Sequence, residues 1–465
     1  MNSEVVEIKK EENQTNDKPN LYAGPRGTAV KILNRVERTD SYLDKLLDVE
    51  LKSKDVADID KSLLAEIVHG VLRWQGRLDW ILNGFTHGNF SKSEVNIRNA
   101  LRVALYQILF LTQVPQYAAV NESVEFIKRI RGEKFAGFVN AVLRNILRTL
   151  DGIHYPNPDE DLVQYLAVYY SHPVWMVKRW LERFDREELE KFLISNNEVP
   201  GLTLRINKLK IAPNEFIALL EKQNVTFQGS AFIDYFIKVK SLAGISQLNI
   251  FQSGYFSIQD ESAALPVLLL NPQPGERIID MCAAPGGKTT FIAELMKNQG
   301  EIIAVDKYET RLNLIRISCE RLGISNVKFI TEDSEKLNLP IADKIIVDAP
   351  CSGLGTLRKK PDIKWKREPE DIPRLVKQQF NLLENASMLL KPGGILVYST
   401  CTTEPEENQQ LIKSFLQNHP EFKIDDAAKF VNKSVVTPEG FVETFPHRHH
   451  IDGSFCCRLI KSVAN

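Results

Sequence analysis

Cys351 and Cys401 each follow a short apolar run and sit in a Pro/Thr-flanked turn, Asp348-Ala349-Pro350-Cys351 and Ser399-Thr400-Cys401. A thiolate can add to C6 of a pyrimidine ring, and the addition makes C5 nucleophilic. A free thiol has a pKa of about 8.5, so only a few per cent is ionised at neutral pH. The ring must therefore be polarised at N3 or at its exocyclic amine. Asp348, three residues before Cys351, is placed to make that contact or to face a cofactor. Upstream lies the glycine loop Asp280-Met281-Cys282-Ala283-Ala284-Pro285-Gly286-Gly287-Lys288-Thr289, which can hold the donor of an electrophile. Together these residues suggest pyrimidine C5 methylation. One thiol would attack C6, and the other would assist loss of the C5 proton and release of the enzyme. Residue chemistry alone leaves open which cysteine does which. Cys319, Cys456 and Cys457 read as buried, inert thiols, and Cys282 as a loop residue rather than a reactant.

The loop's position argues for a nucleoside-like cofactor. Asp280 ends an expected strand and Gly286-Gly287 opens the next helix, and ligands of such sheets bind outside the carboxyl ends of the strands. Asp306 follows about 20 residues later, where a carboxylate grips ribose hydroxyls. Asp333, after the third strand, is placed to reach an adenine. A phosphate loop needs G-x-x-x-x-G-K-[ST]; Lys288-Thr289 fits, but Cys282 stands where the first glycine should be. S-adenosylmethionine has no phosphate and needs no such cradle, so it is the expected cofactor.

The elements that position these residues fall into segments. Residues 1–22 are polar and poor in aromatics, as expected of a disordered tail. Residues 23–150 carry apolar residues at three and four, such as Leu64, Ile67, Val68, Val71 and Leu72, and predict five or more packed helices. Residues 151–250 read as a small α+β module, with helices at 175–184 and 213–223 and strands at 202–207 and 235–242. From 251 to 465 strands and helices alternate. Strands are expected at 277–281, 301–305, 326–330, 343–348 and 394–398, with a closing strand at 454–460. Helices are expected at 287–297, 309–322, 371–390 and 405–417. That alternation predicts a Rossmann-like parallel sheet covered on both faces.

A formal net charge of −1 gives no global attraction to nucleic acid, so any such binding must use local patches. The six cysteines have no disulfide-like spacing, and no secretory or membrane-spanning run stands out. A cytoplasmic, monomeric protein with reduced thiols is expected.

The motifs DMCAAPGGKTT (280–290), AVD (304–306), DAPCSGLGTLRKKPDIKW (348–365) and YSTCTTEPEEN (398–408) resemble those of the RNA cytosine-5 methyltransferases. GVLRWQGRLDWIL (70–82), VPQYAAVNESVEFIKR (114–129) and GFVNAVLRNIL (137–147) resemble the NusB-type RNA-binding fold. The fusion of the two is similar to the branch that modifies a cytosine of bacterial 16S rRNA. The resemblance implies that Cys401 is the nucleophile and that Cys351 assists release; DNA cytosine methyltransferases use the Pro-Cys thiol instead. It also implies that Cys282, Ala283, Ala284, Pro285, Gly286, Gly287, Lys288, Asp306, Asp333 and Asp348 surround S-adenosylmethionine and the target base. One departure is Ser454 in Asp452-Gly453-Ser454-Phe455, where the family commonly has phenylalanine, which puts local packing in question.

Two basic runs are candidate RNA contacts. Residues 358–367 hold six basic residues and one acid beside Trp365, and residues 126–148 hold Lys128, Arg129, Arg131, Lys134, Arg144 and Arg148 against Glu133. Solvated charged faces are the alternative for both. His447, His449 and His450 lack the ligand spacing of a metal site. Competing functions are a tRNA cytosine-C5 methyltransferase, a non-enzymatic rRNA assembly factor and a phosphate-loop nucleotide hydrolase.

Overall fold

The computed structural model describes residues 20–39, 41–53, 56–87, 89–240 and 249–463. Most of the expected N-terminal tail therefore lies outside the described residues. The chain divides into two compact units, Met1–His154 and Tyr155–Asn465.

The first unit is helical: α1 (Gly24–Arg38), α2 (Leu43–Lys52), α3 (Asp58–Phe85), α4 (Val95–Phe110), α5 (Gln116–Arg131) and α6 (Glu133–Arg148). The three-and-four pattern of Leu64, Ile67, Val68, Val71 and Leu72 is buried along α3. Helices α3 and α4 cross closely at Gly70, where a Cβ would stand 1.9 Å from the Tyr106 ring. Gly132, at φ +86°, separates α5 from α6.

The second unit begins with α7 (Leu162–Tyr169), α8 (Val174–Leu181) and α9 (Arg186–Asn196). A small antiparallel sheet follows, built from β1 (Leu202–Ile206), β2 (Phe227–Gly229), β3 (Phe236–Val239) and β4 (Phe256–Ile258) in the order β2-β3-β1-β4. Helix α10 (Pro213–Lys222) packs Phe216 and Leu220 against Leu204, Ile206 and Phe256 of this sheet. The expected strand at 235–242 is realised as β3, and positions 241 and 242 lie outside the described residues. Strand β4, beyond residue 250, completes the sheet by pairing with β1.

The large sheet and its helices run α11 (Glu261–Leu270), β5 (Arg277–Asp280), α12 (Gly287–Leu295), β6 (Glu301–Asp306), α13 (Glu309–Leu322), β7 (Val327–Thr331), β8 (Ala342–Asp348), α14 (Ile363–Lys366), α15 (Asp371–Leu389), β9 (Leu390–Thr400), α16 (Gln409–Asn418), β10 (Phe422–Ile424), β11 (Val442–Thr444), α17 (Pro446–His449) and β12 (Ser454–Lys461). The strand order is β7-β6-β5-β8-β9-β12-β10, with β11 also paired to β12. The five strands from β7 to β9 are parallel, and β12 enters antiparallel beside β9. Successive residues of one strand feed opposite cores, as the two-residue period of a strand requires. Ile278, Ile302 and Ile346 face one core; Ile279, Ile303 and Ile345 face the other.

Arg205 of β1 fastens the small sheet to α12. Its fully buried guanidinium donates to the Gly287 carbonyl at 2.8 Å, Thr290 Oγ1 at 3.0 Å and Glu294 Oε1 at 2.7 Å. The small sheet is thereby tied to the first turns of the helix that follows the glycine loop.

Candidate active site

The carboxyl ends of β7, β6, β5, β8 and β9 lie along one edge of the large sheet, because those strands are parallel and adjacent. The edge therefore carries, in spatial order, Asp333, Asp306, the 280–287 loop, Asp348 with Cys351, and Cys401. The crevice expected at such an edge falls where the strand order reverses, around β5.

Gly286 turns the loop at φ +102°, and a Cβ there would stand 2.9 Å from Ile315 Cγ2, so both conformation and space require glycine. The loop is held by the Ala283 N–H on the Val305 carbonyl at 2.9 Å and by Arg311 on the Ala284 carbonyl at 2.8 Å. Lys288 Nζ donates to Asp348 Oδ2 at 2.6 Å, and Thr289 Oγ1 to Asp280 Oδ2 at 2.7 Å. The two side chains that imitate a phosphate loop are thus committed to carboxylates. Asp306 accepts the Tyr308 N–H at 3.0 Å and pairs with Arg311 at 3.1 Å. Asp333 pairs with Lys307 at 3.0 Å, and that hydrogen bond holds its carboxyl below the usual range. Burial pushes the Asp280 carboxyl up to about 7, and the charge of Asp348 adds to the rise.

The carboxylates of Asp306, Asp333 and Asp348 along one edge disfavour a phosphate ligand. They suit S-adenosylmethionine, which presents a sulfonium, an ammonium and donor hydroxyl and amine groups. Asp306 and Asp333 stand at the ends of adjacent strands where ribose and adenine donors would be met. Asp348 faces both the loop, through Lys288, and the thiols.

Cys351 Sγ lies 3.2 Å from Cys401 Sγ, well beyond the ~2.05 Å of a disulfide, so both are free thiols in contact. The Cys401 N–H also points at Cys351 Sγ at 3.3 Å. Cys401 is exposed and Cys351 half-buried. Their shared hydrogen bond pulls the pair apart in acidity. Cys401 is held below an ordinary thiol, chiefly by the S–H of Cys351, with help from Lys360 and Lys288. Cys351 is pushed up by the same contact, then by burial and by the charge of Glu407. Asp348 stands beside them, its Oδ1 accepting Ser399 Oγ at 2.9 Å. Cys319, Cys456 and Cys457 are buried, Cys456 beside Ser399 on the neighbouring strand, and burial pushes all three thiols up, Cys319 to about 12. Cys282 is likewise pushed up, by burial and then by Asp280.

The residues around the thiol turns were not singled out by sequence reasoning. Arg367 donates to the carbonyls of Ser352 at 2.9 Å and Cys351 at 3.2 Å. Glu404, fully buried, accepts Trp180 Nε1 at 2.9 Å and pairs with Arg179, so α8 docks on the Cys401 turn. Glu407 and Asn408 brace both turns. The available signal was the three acids inside 398–408, Glu404, Glu406 and Glu407, crowded beside the Cys401 turn.

The basic run 358–367 is corrected by the structure. Lys364 is fully buried, donating to the Ser171 carbonyl at 3.1 Å and Asn197 Oδ1 at 2.6 Å. Arg358 pairs with Asp452 at 2.6 Å, Lys359 with Asp452 at 2.8 Å and with Asp260, and Arg367 serves the Cys351 turn. These cations neutralise buried or loop acceptors, so the run is not a continuous phosphate-binding face. Lys360 is exposed and close enough to Cys401 to affect its acidity. In the first unit Lys128 pairs with Glu133 at 2.6 Å and Arg131 with Glu94 at 2.7 Å. Lys134, Arg144 and Arg148 are exposed on α6, as are the rings of Phe135 and Phe138. Ser454 fits its site: its hydroxyl meets Thr444 Oγ1 at 2.9 Å. His449 Nδ1 accepts the Phe445 N–H at 2.9 Å. Among the described residues no three His, Cys, Asp or Glu side chains stand together as metal ligands, and no helix is long and apolar enough to cross a membrane.

Comparison with known proteins shows the family to which the chain belongs. Residues 267–460 match the family described as 16S rRNA methyltransferase RsmB/F, residues 24–148 the NusB family, and residues 172–245 the RsmF/B-like ferredoxin-like domain. The probable ribosomal RNA small subunit methyltransferase B of Bacillus subtilis (strain 168) is 37% identical over 94% of this chain and 98% of that protein. The crystal structure of PH0851 is 30% identical and superposes with a TM-score of 0.79 over 94% of this chain and 99% of the other. A methyltransferase homolog protein from Pyrococcus horikoshii is 29% identical, with a TM-score of 0.58 over 65% of this chain and 99% of the other.

Proposed function

Because the chain belongs to the RsmB/F family of S-adenosylmethionine-dependent 16S rRNA methyltransferases, we propose that it methylates C5 of a cytosine in small-subunit rRNA through a covalent bond between Cys401 and C6. The observation that carries this reading is the exposed Cys401 sulfur, 3.2 Å from Cys351 and at the strand edge shared with the glycine loop.

When bound, the cofactor supplies a methyl group on a positively charged sulfur. The chain's own residues do the rest. Asp306, Asp333 and the loop 282–288 hold the donor, while Lys288 fixes Asp348 toward the base. The target cytosine leaves its stack to enter the crevice. The Cys401 thiolate, favoured by the proton held on Cys351, bonds to C6, and the displaced ring electrons make C5 the nucleophile. After C5 has taken the methyl group, its proton passes to solvent water, and the C–H electron pair is left to form the C5–C6 double bond. Breakage of the C6–sulfur bond then returns an electron pair to Cys401 and restores the ring. Cys351, in contact with the leaving sulfur, assists this collapse. We read residues 23–150 as the RNA-binding module, with the exposed cations and rings of α6 as its contact face, residues 151–250 as the positioning module and 251–465 as catalytic.

Cys401→Ala should abolish methylation of bacterial small-subunit RNA. Cys351→Ala should accumulate a protein–RNA adduct that survives denaturation. Near-normal methylation by the first variant would end the covalent mechanism, and absence of adduct in the second would cancel the division of roles. Bisulfite mapping of cellular rRNA and tRNA, with and without the protein, identifies the substrate.

A further inference from the structure

Cys351 and Cys401 sit on two separate turns, yet both turns hang on one pair of consecutive buried residues. Glu407 Oε2 accepts the Ser352 N–H at 2.9 Å and Gln379 Nε2 at 2.8 Å, and Oε1 accepts the Ser352 hydroxyl. Gln379 also donates to the Pro350 carbonyl at 2.9 Å, so the residues on both sides of Cys351 are held. The Ser352 hydroxyl shares a 2.7 Å hydrogen bond with Thr402, crossing to the other turn. Asn408 completes that side: it accepts Thr400 Oγ1 at 2.6 Å and donates to the Thr402 carbonyl at 3.0 Å, bracketing Cys401. Glu407, Asn408, Gln379, Ser352 and Thr402 are all buried.

We propose that Glu407 is a positioning residue for the thiol pair, holding the Cys351 turn against Cys401 through Ser352 and Gln379 and placing a negative charge beneath Cys351 in particular. The inference rests on the two-thiol reading above. Burial raises the Glu407 carboxyl above its ordinary range, and the hydrogen bonds it accepts from Ser352 and Gln379 oppose that rise by favouring the anion. Its charge disfavours a second anion at Cys351, so the shared proton stays there and Cys401 is left as the nucleophile. The other ionisable groups facing the pair are Asp348, Lys288, Lys360 and Tyr398, while Arg367 binds the turn's carbonyls. Of the carboxylates, Glu407 is the one hydrogen-bonded to the Cys351 turn, whereas Asp348 is engaged by Lys288 and Ser399.

The test uses the full chain without RNA or cofactor. Each thiol is alkylated with iodoacetamide across a pH series, and modification is quantified per cysteine by peptide mass spectrometry. In Glu407→Gln the amide can keep the hydrogen-bond shape but loses the charge. Cys351 should then react about tenfold faster than in wild type at a pH below its midpoint, the effect of roughly one unit of thiol acidity, with a smaller change at Cys401. In a separate assay the variant's methylation rate at saturating RNA should fall by roughly 10². Superimposed Cys351 profiles in wild type and Glu407→Gln would overturn the proposal. Should Glu407→Gln fail to fold, Ser352→Ala keeps the charge but removes the hydroxyl bridge. It should slow methylation while leaving the Cys351 profile at or above its wild-type pH, and an acid-shifted profile would refute the charge assignment. Because alkylation needs no substrate, these outcomes are independent of whether Cys401→Ala abolishes methylation.

Discussion

Arg205→Met tests whether the small antiparallel sheet braces the cofactor loop. The guanidinium is fully buried, lies 4.9 Å from the centre of the Phe291 ring and neutralises Glu294, itself nearly inaccessible. Methionine fills similar space but strands the carboxylate. Breaking a buried pair by removing one partner costs about 3–5 kcal/mol. The freed Gly287 carbonyl adds to the loss. At about 2–4 °C per kcal/mol the melting temperature of the second unit should fall by roughly 6–20 °C. The stranded charge can be relieved in two ways, and both sharpen the test. Burial already raises the Glu294 carboxyl, and loss of Arg205, which opposes that rise, should raise it further. A carboxyl whose folded pKa exceeds its unfolded one contributes stability at low pH that is lost as pH rises. The gap between wild type and variant should therefore be smallest near pH 5 and widen towards pH 8. Adding Glu294→Leu to Arg205→Met should recover at least about 2 kcal/mol. Differential scanning calorimetry and urea titration measure both quantities. A single variant within about 1 kcal/mol of wild type, or a double variant no more stable than the single, would refute the clamp.

Further outcomes can be checked in the same way. Gly286→Ala imposes a left-handed backbone on a side chain, costing about 1–2 kcal/mol before its contact with Ile315, and should weaken S-adenosylmethionine binding measured by calorimetry far more than Gly275→Ala, whose Cβ meets open space. The Asp280 carboxyl, raised to about 7, should make cofactor-free wild type lose stability relative to Asp280→Asn as pH rises from 5 to 8, with no further loss above that range. Equal pH slopes would contradict it. Lys360→Ala should lower RNA affinity and reduce the salt slope of binding by about one, whereas Lys364→Met should lower the melting temperature and leave the salt slope unchanged. Diamide should join Cys351 to Cys401 faster than any other cysteine pair, taking up their two hydrogens, and a reducing thiol should reverse the link.

The five parallel strands of the large sheet were readable as short runs rich in apolar residues that end at the cofactor edge, and β12 as a closing run, whereas β10 and β11, three residues each, were not anticipated. Asp280, Asp306 and Asp348 mark those ends, and the expected strand spans fall within a few residues of those observed. Helix α11 was not anticipated. It is apolar all round, with Pro266 inside, because both faces are buried, so it carries no stripe of helical period. Strands β2 and β4 have three residues each, too few for an alternation to show. The charge run at 358–367 misled for a different reason. A count of cations reveals nothing about Asp260, Asp452 and Asn197, which are far away in sequence and claim Lys359, Arg358 and Lys364. The thiols, the glycine loop and the acids at the strand ends were legible because their chemistry is local. The bracing by Glu407 and Asn408 was not, because a carboxylate's partners depend on how two turns meet.

Strand β12 has a consequence for biosynthesis. It fills the place between β9 and β10, pairing Phe455 with Thr400 and Cys456 with Ser399, directly beneath the nucleophile. The turn before it contributes Gly453, whose N–H donates to the Gly355 carbonyl at 2.8 Å, while the Gly355 N–H reaches the carbonyl of Cys401 at 3.0 Å. A nascent chain that has released β9 from the ribosome but not yet residues 453–461 would hold its reactive sulfur on an open strand edge, without the neighbour that sets its geometry. The Cys401 turn would thus take up its final geometry only after translation has passed this segment.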